Sequence, residues 1–267
     1  MIKFWQIYGS ALHIGQDACA ALVLTGKLSM FISIRLDREG RMGFEEKALL
    51  QKGYTTMTTD NKSASSPATP LGMDRLSENP YAIFARWFDE AKAAEINDPD
   101  AMALASVDEA GMPSVRMVLL KEWSEEGFVF YTNYESRKSA ELLATGKAAF
   151  VMHWKSLRRQ VRVVGPVEQI PAAQSDAYYN SRPYGSRIGA WASIQSRPLE
   201  TRQELADRVV ELEATYPEAP PRPPHWGGFI IRPDEIELWA DGEFRLHDRF
   251  RFTRNDAGYW QSDRLYP

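Results

Sequence analysis

RRQVRVVGPVEQI, residues 158–170, reads as a β-strand with two unlike faces. Side chains alternate along a strand, so Arg158, Gln160 and Arg162 share one side while Val161 and Val163 share the other. An apolar face backed by a polar one suits the wall of a barrel, and the bland account of the polar side is solvent. Its neighbours have the same grain. Upstream lie AMALASVD (101–108), SVRMVLLK (114–121), FVFYT (128–132) and AAFVMHW (148–154). Downstream lie GGFII (227–231), EIELW (235–239) and FRLHDRFRF (244–252), with YWQSDRL (259–265) a candidate fourth. Turn residues such as EAGMP (109–113) and EEG (125–127) separate them. Short strands joined by hairpin-sized loops predict an antiparallel barrel with attached helices, mainly β. The order is not βαβ and GxGxxG is missing, which argues against a Rossmann fold.

Helical segments flank and interrupt the series. ENPYAIFARWFDEAKAAEI (78–96) has a capping Asn79, Pro80 in the first turn, and a stripe of Ile83, Trp87, Phe88 and Ala91. A short helix is expected over 136–145, and two or three between Ala172 and Tyr216, before the proline-rich PEAPPRPP (217–224). This body, 78–267, is read as one domain. Residues 57–77 contain TTDNKSASSPATPLG and read as a flexible linker. Residues 1–56 differ in character: Met57 is read as the true start, with a genuine extension as the alternative.

The totals exclude several classes. The 267 residues are 44% hydrophobic with a formal net charge of −4, so a generic nucleic-acid binder is disfavoured and any basic site is local. Cys19 is the lone cysteine, which rules out an intrachain disulfide framework and favours a reducing, cytoplasmic setting. His13, His153, His225 and His247 lack metal-ligand spacing. Lys27 interrupts the best apolar run, Cys19 to Ile34, so no membrane span is expected.

Cations then mark the chemistry. In YTNYESRKSAELL (131–143), Arg137 and Lys138 fall in the first turn of a helix, where the dipole disfavours them unless an anion is bound. In DAYYNSRPYGS (176–186), Tyr178 and Arg182 share a helix face, Pro183 ends the helix, and Tyr184-Gly185 turns the chain toward Ser186. Arg116 and Lys121 bracket an apolar tetrad on opposite faces of a regular strand. EFRLHDRFRF (243–252), taken as one strand, lines up Arg245, His247, Arg249 and Arg251 opposite Phe244, Leu246, Asp248, Phe250 and Phe252. Two phosphate-grade sites, with Gln160, Gln195 and Trp239 able to meet a heterocycle, suggest two phosphorylated ring compounds side by side.

RMVLLK (116–121), FYTNYESRK (130–138), RRQVRVVG (158–165), YYNSRP (178–183), IGAWASIQS (188–196) and RLHDRF (245–250) resemble the pyridoxine/pyridoxamine 5′-phosphate oxidase family, from about Pro80 to Pro267. The resemblance implies an FMN-binding split β-barrel, working as a homodimer with flavin between subunits. It assigns to FMN the run Arg116, Met117, Val118, Leu119, Leu120 and Lys121, then Tyr131, Thr132, Arg137 and Lys138. Gln160, Gln195, Ser196, Trp239 and Arg249 complete that set. Substrate phosphate falls to Lys121, Tyr178, Arg182 and Ser186, and the pyridine ring to Arg245, Leu246 and His247, with Arg245 and His247 catalytic. The implied reaction oxidises pyridoxine or pyridoxamine 5′-phosphate to pyridoxal 5′-phosphate, with O2 as acceptor and H2O2 as product. In one respect the chain departs: SSPATPLGMDRLSENP (65–80) has Arg75 and no Tyr before Tyr81, where family members often carry an Arg- and Tyr-containing lid. Competing readings are a flavin reductase of the same fold, a barrel gripping single-stranded nucleic acid, and a cofactor-storage or heme-handling barrel. Tyr178, Arg182 and Ser186 as a set favour the oxidase over the reductase, and the acidic balance disfavours the nucleic-acid reading.

Overall fold

The computed structural model describes residues 79–267 and, ahead of them, the backbone of strands β1 (Cys19–Thr25), β2 (Leu28–Leu36) and β3 (Met42–Lys47). These three pair antiparallel in the order β1-β2-β3. The expectations for the linker, the lid segment and a start at Met57 fall outside the described residues.

Helix α1 (Pro80–Ala94) begins as its sequence dictates. Asn79 Oδ1 accepts the Tyr81 N–H at 3.0 Å, and Pro80 occupies the first turn, where an N–H has no intrahelical partner. Its stripe, Ile83, Phe84, Trp87, Phe88 and Ala91, is buried. Then follow β4 (Ala101–Val107), β5 (Pro113–Leu119), β6 (Glu122–Ser124), β7 (Gly127–Asn133), α2 (Arg137–Thr145), β8 (Lys147–Trp154) and β9 (Arg159–Gln169). Three helices come next, α3 (Ala172–Ser181), α4 (Tyr184–Ala192) and α5 (Arg202–Thr215). The chain closes with β10 (Trp226–Ile231), β11 (Glu235–Ala240), β12 (Asp248–Arg254) and β13 (Trp260–Arg264).

β4 to β13 form one antiparallel sheet, curled into a half-barrel, and β9 is its hub. Arg159 to Val164 pair with β11 on one side and β8 on the other, whereas Val167 to Gln169 pair with β10. The change of partner falls at Gly165, where any side chain would strike the Arg232 carbonyl. There Asp234 N–H donates to Val164 O at 3.0 Å and Arg232 N–H to Pro166 O at 2.9 Å, which bends the strand without losing its hydrogen bonds.

The register sorts the two faces. Met102, Leu104, Phe150, Val161, Val163, Leu238, Phe250 and Phe252 point inward to the core. The outer face reads Met117, Ala103, Val151, Arg162, Glu237 and Arg251 across β5-β4-β8-β9-β11-β12, apolar at one edge and charged at the other. The polar face foreseen for Gln160 and Arg162 is therefore the outer one.

Two expectations need correction. EFRLHDRFRF is not one strand: Glu243–Arg245 is a single 3-10 turn, and Phe244 and Arg245 take φ of 55° and 64°. β11 and β12 are antiparallel neighbours whose last pair is Ala240 with Asp248, so the chain must reverse between them. The alternation ran through that hairpin loop, and only Arg249 and Arg251 share a strand face. Phe244 and Leu246, 89% and 70% exposed, anchor nothing among the described residues, while Phe250 and Phe252 are buried. The second correction concerns Tyr184-Gly185, which opens α4 after Pro183 rather than forming a turn.

Candidate functional site

The start of α2 is built around Lys138. Asn133 breaks β7 from the helix: its carbonyl accepts the hydroxyls of Ser136 and Ser139, both at 2.7 Å. The Ser136 side chain thus makes no cap bond to the helix, and the first turn contains no acid. Lys138 Nζ is buried and donates to Thr132 Oγ1 at 2.8 Å, Ser136 Oγ at 3.0 Å and Gln195 Oε1 at 2.6 Å. All three partners are neutral. Burial, and then the charge of Arg116, pull its pKa down to about 8.

Beside it, Arg116 points inward because it pairs with the core residue Leu104. Its guanidinium reaches Leu104 O at 3.1 Å, Ser106 Oγ at 2.6 Å, Ser114 Oγ and Glu141 Oε2 at 3.2 Å. Arg137 Nε binds the other Glu141 oxygen at 2.8 Å. Burial alone would raise the Glu141 pKa. The hydroxyls of Ser106 and Ser114 (each at 2.5 Å), Arg137 and the Arg116 charge override burial and hold the carboxyl down to about 2.

A second cation, Arg182, sits on an aromatic shelf. Tyr131 stacks on Tyr178 at 3.9 Å and 13°, and on Trp226 at 5.5 Å and 9°. The Arg182 guanidinium lies 4.7 Å from the Trp226 ring centroid. Arg182 Nη1 is buried without a hydrogen-bond partner among the described residues, and burial lowers the arginine's pKa. Gly228 makes the shelf possible, since a side chain there would collide with Ile170 and press on Tyr131. Ser186 is exposed in the first turn of α4. Lys121 stands beyond the end of β5, where its Nζ is 2.7 Å from Asp100 Oδ2.

The remaining expected residues lie on the outer face. Gln160, Trp239 and Arg249 are register partners across β9, β11 and β12. Glu237 holds Arg249 in a fork, at 2.9 Å to Nε and 3.0 Å to Nη2, and also takes Arg162 at 3.1 Å. Trp239 meets the His247 ring at 4.7 Å. Gly242 N–H donates to His247 Nδ1 at 3.2 Å, and Asp241 Oδ1 lies at the same distance. Arg245 is exposed on the loop.

Within one chain the structure joins Thr132, Lys138 and Gln195, places Arg116 and Arg137 on one carboxylate, and joins Tyr131, Tyr178 and Arg182. Met117 and Leu119 instead point to the outer face, Val118 packs against the core and Leu120 is buried in it. Ser196 is exposed with a φ of 70°. Asp248, placed by the alternation among apolar residues, pairs with Arg264 of its own chain, and Arg251 pairs with Asp263 at 2.9 Å. Glu141, Glu237 and Trp226 were missed. Glu141 stands four residues after Arg137, a spacing that brings side chains together on a helix; Glu237 and Trp226 gave no comparable signal.

A half-barrel with a buried ammonium at a helix start, free of carboxylate among its described partners, defines the class: a split-barrel protein. The comparisons agree. Residues 88–216 match the family model "Pyridoxamine 5'-phosphate oxidase", and 226–267 match "Pyridoxine 5'-phosphate oxidase C-terminal dimerisation region". The pyridoxine/pyridoxamine 5′-phosphate oxidases of Brucella canis and Brucella suis are 60% identical over 193 residues, 72% of this chain and 95% of theirs. Among solved structures, PhzG from Burkholderia lata, in complex with tetrahydrophenazine-1-carboxylic acid, superposes with a TM-score of 0.69 at 31% identity, covering 73% of this chain and 95% of its own. An FMN-binding protein from Nostoc punctiforme, related to pyridoxamine 5′-phosphate oxidase, shares the fold at a TM-score of 0.58 and 16% identity, over 72% of this chain and all of its own. The chain belongs to the pyridoxine/pyridoxamine 5′-phosphate oxidase family of oxidoreductases.

Proposed function

We propose that this chain is an FMN-dependent oxidase that converts pyridoxine 5′-phosphate or pyridoxamine 5′-phosphate to pyridoxal 5′-phosphate, with O2 as acceptor and H2O2 as product. The observation that carries the reading is the pair of cations set among neutral groups, Lys138 and Arg182, which we read as two anion receptors. A buried ammonium without a carboxylate is costly unless an anion completes it. Phosphate fits both places, one for the flavin and one for the substrate.

FMN, when bound, supplies the two-electron redox chemistry. The chain's own residues bind and orient. Lys138, Arg116 and Arg137 hold the flavin phosphate, with Thr132, Gln195 and Ser196 at its rim. Arg182, with Tyr178 and Ser186, holds the substrate phosphate, and Lys121 joins them by exchanging Asp100 for it. Arg245 and His247 position the pyridine ring, where His247 can bond the ring hydroxyl.

Gln160, Trp239 and Arg249 occupy the outer sheet face, whereas Arg116 is on the inner one. One FMN cannot place its phosphate on one face and its ring on the other through a sheet, which supports a site shared between two copies. The outer face suits a second copy: Val115 and Met117 are 69% and 62% exposed, with Ala103, Ala105, Ala149 and Val151 beside them. The match of 226–267 to a dimerisation region agrees. We place the activity in residues 78–267 and the protein in the cytoplasm; the lone cysteine supports that compartment, and among the described residues no helix is long and apolar enough to cross a membrane. Adding FMN and removing the excess by gel filtration tests the cofactor: the protein should stay yellow. A colourless protein after that treatment contradicts every flavin reading.

A further inference from the structure

We infer that Glu141 is a positioning residue of the phosphate cradle, one that assembles Arg116 and Arg137 before ligand arrives and tunes the cradle's charge to a dianion. The inference rests on the FMN reading. Glu141 is 5% exposed in its side chain, yet four donors converge on it: Ser106, Ser114, Arg116 and Arg137. It takes one guanidinium on each oxygen, Arg116 on Oε2 and Arg137 on Oε1. The two arginines come from separate elements, β5 and α2, and this carboxylate on α2 brings them together.

Three cations gathered without an anion repel one another and would spread apart. With Glu141 ionised, Arg116, Arg137 and Lys138 sum to two net positive charges. A phosphate monoester carries about −1.5 to −2 at neutral pH, so the assembled cradle is matched to it rather than overcharged. The guanidinium groups of Arg116 and Arg137 take the field of the carboxylate, while Lys138 has only neutral groups among its described partners and adds its charge to the cradle. The arginines then arrive at binding already ordered, and little conformational freedom is lost at that moment.

The test compares FMN with riboflavin, which has the ring system but no phosphate, by quenching of flavin fluorescence on the full-length protein freed of bound flavin. Glu141→Gln keeps size and one acceptor oxygen while removing the charge; Glu141→Ala removes both. Both variants should weaken FMN by about tenfold or more and leave riboflavin unchanged. In an Arg137→Ala background the effect of Glu141→Gln should shrink, because part of it runs through Arg137. Should Glu141→Ala fail to fold, Glu141→Gln decides. FMN binding by Glu141→Gln that equals or exceeds wild type, or equal losses for FMN and riboflavin, overturns the positioning role and leaves the FMN reading intact. A wild-type chain that binds neither flavin overturns that reading and the role with it.

Discussion

Lys138 Nζ lies 2.6 Å from Gln195 Oε1, although the two residues are fifty-seven positions apart in the chain. The contact ties the start of α2 to the loop after α4, and it leaves the ammonium without a carboxylate among its described partners. Lys138→Met keeps much of the side-chain volume and removes the charge. FMN affinity should fall roughly 10- to 100-fold, the loss of one charged hydrogen-bond set, as read by fluorescence titration.

pH should act through the same residue. Burial and Arg116 lower Lys138 from 10.5 to about 8 in the folded chain. A bound phosphate favours the protonated form, so FMN affinity should decline as pH rises through about 8, with proton uptake on binding in that range. Without ligand, the unfolded chain retains between about 8 and 10.5 a proton that the folded chain lacks. The contribution of Lys138 to stability therefore rises with pH across that window, and below it the burial penalty is fully present. Lys138→Met should flatten both dependences, in titrations and in denaturant unfolding.

Arg182 separates the two receptors. Arg182→Ala should raise KM for pyridoxamine 5′-phosphate about 10- to 100-fold, since a buried guanidinium then no longer meets the substrate phosphate. FMN retention should not change. A variant that loses flavin and substrate together would place Arg182 in the wrong receptor.

Arg245 tests the loop. Arg245 is exposed, and its φ of 64° lies in the left-handed region that favours glycine. Arg245→Ala should keep FMN yet lose most turnover in steady-state assays; normal turnover removes its assigned role.

Stability offers a check on the fold itself. Trp87 is 1% exposed, and the Arg159 guanidinium lies 4.7 Å from its ring centroid. Trp87→Ala should cost about 3–5 kcal/mol in urea unfolding, combining lost burial with a cavity.

Much of this was legible because it is local. The cap of α1, the alternation of β9 and the cations at the start of α2 are all dictated within a few residues. What escaped was set by distance or by reversal. Nothing in EIELW says that Glu237 will be buried between Arg162 and Arg249, because those partners come from two other strands. The alternation in EFRLHDRFRF is real as a pattern, yet a hairpin must turn somewhere, and Phe244 and Arg245 supply the turn without a glycine at either position. The partner of Asp248 was not legible either, because Arg264 lies on the last strand, sixteen positions further on.

The central claim is chemical, and one measurement meets it directly: the purified chain, loaded with FMN, is given pyridoxamine 5′-phosphate in air-saturated buffer, and aldehyde and peroxide are quantified together. The account predicts pyridoxal 5′-phosphate and H2O2 in equal amounts, with no added nicotinamide cofactor. Flavin-loaded protein that yields neither product, or that reduces flavin only when a nicotinamide donor is supplied, contradicts it.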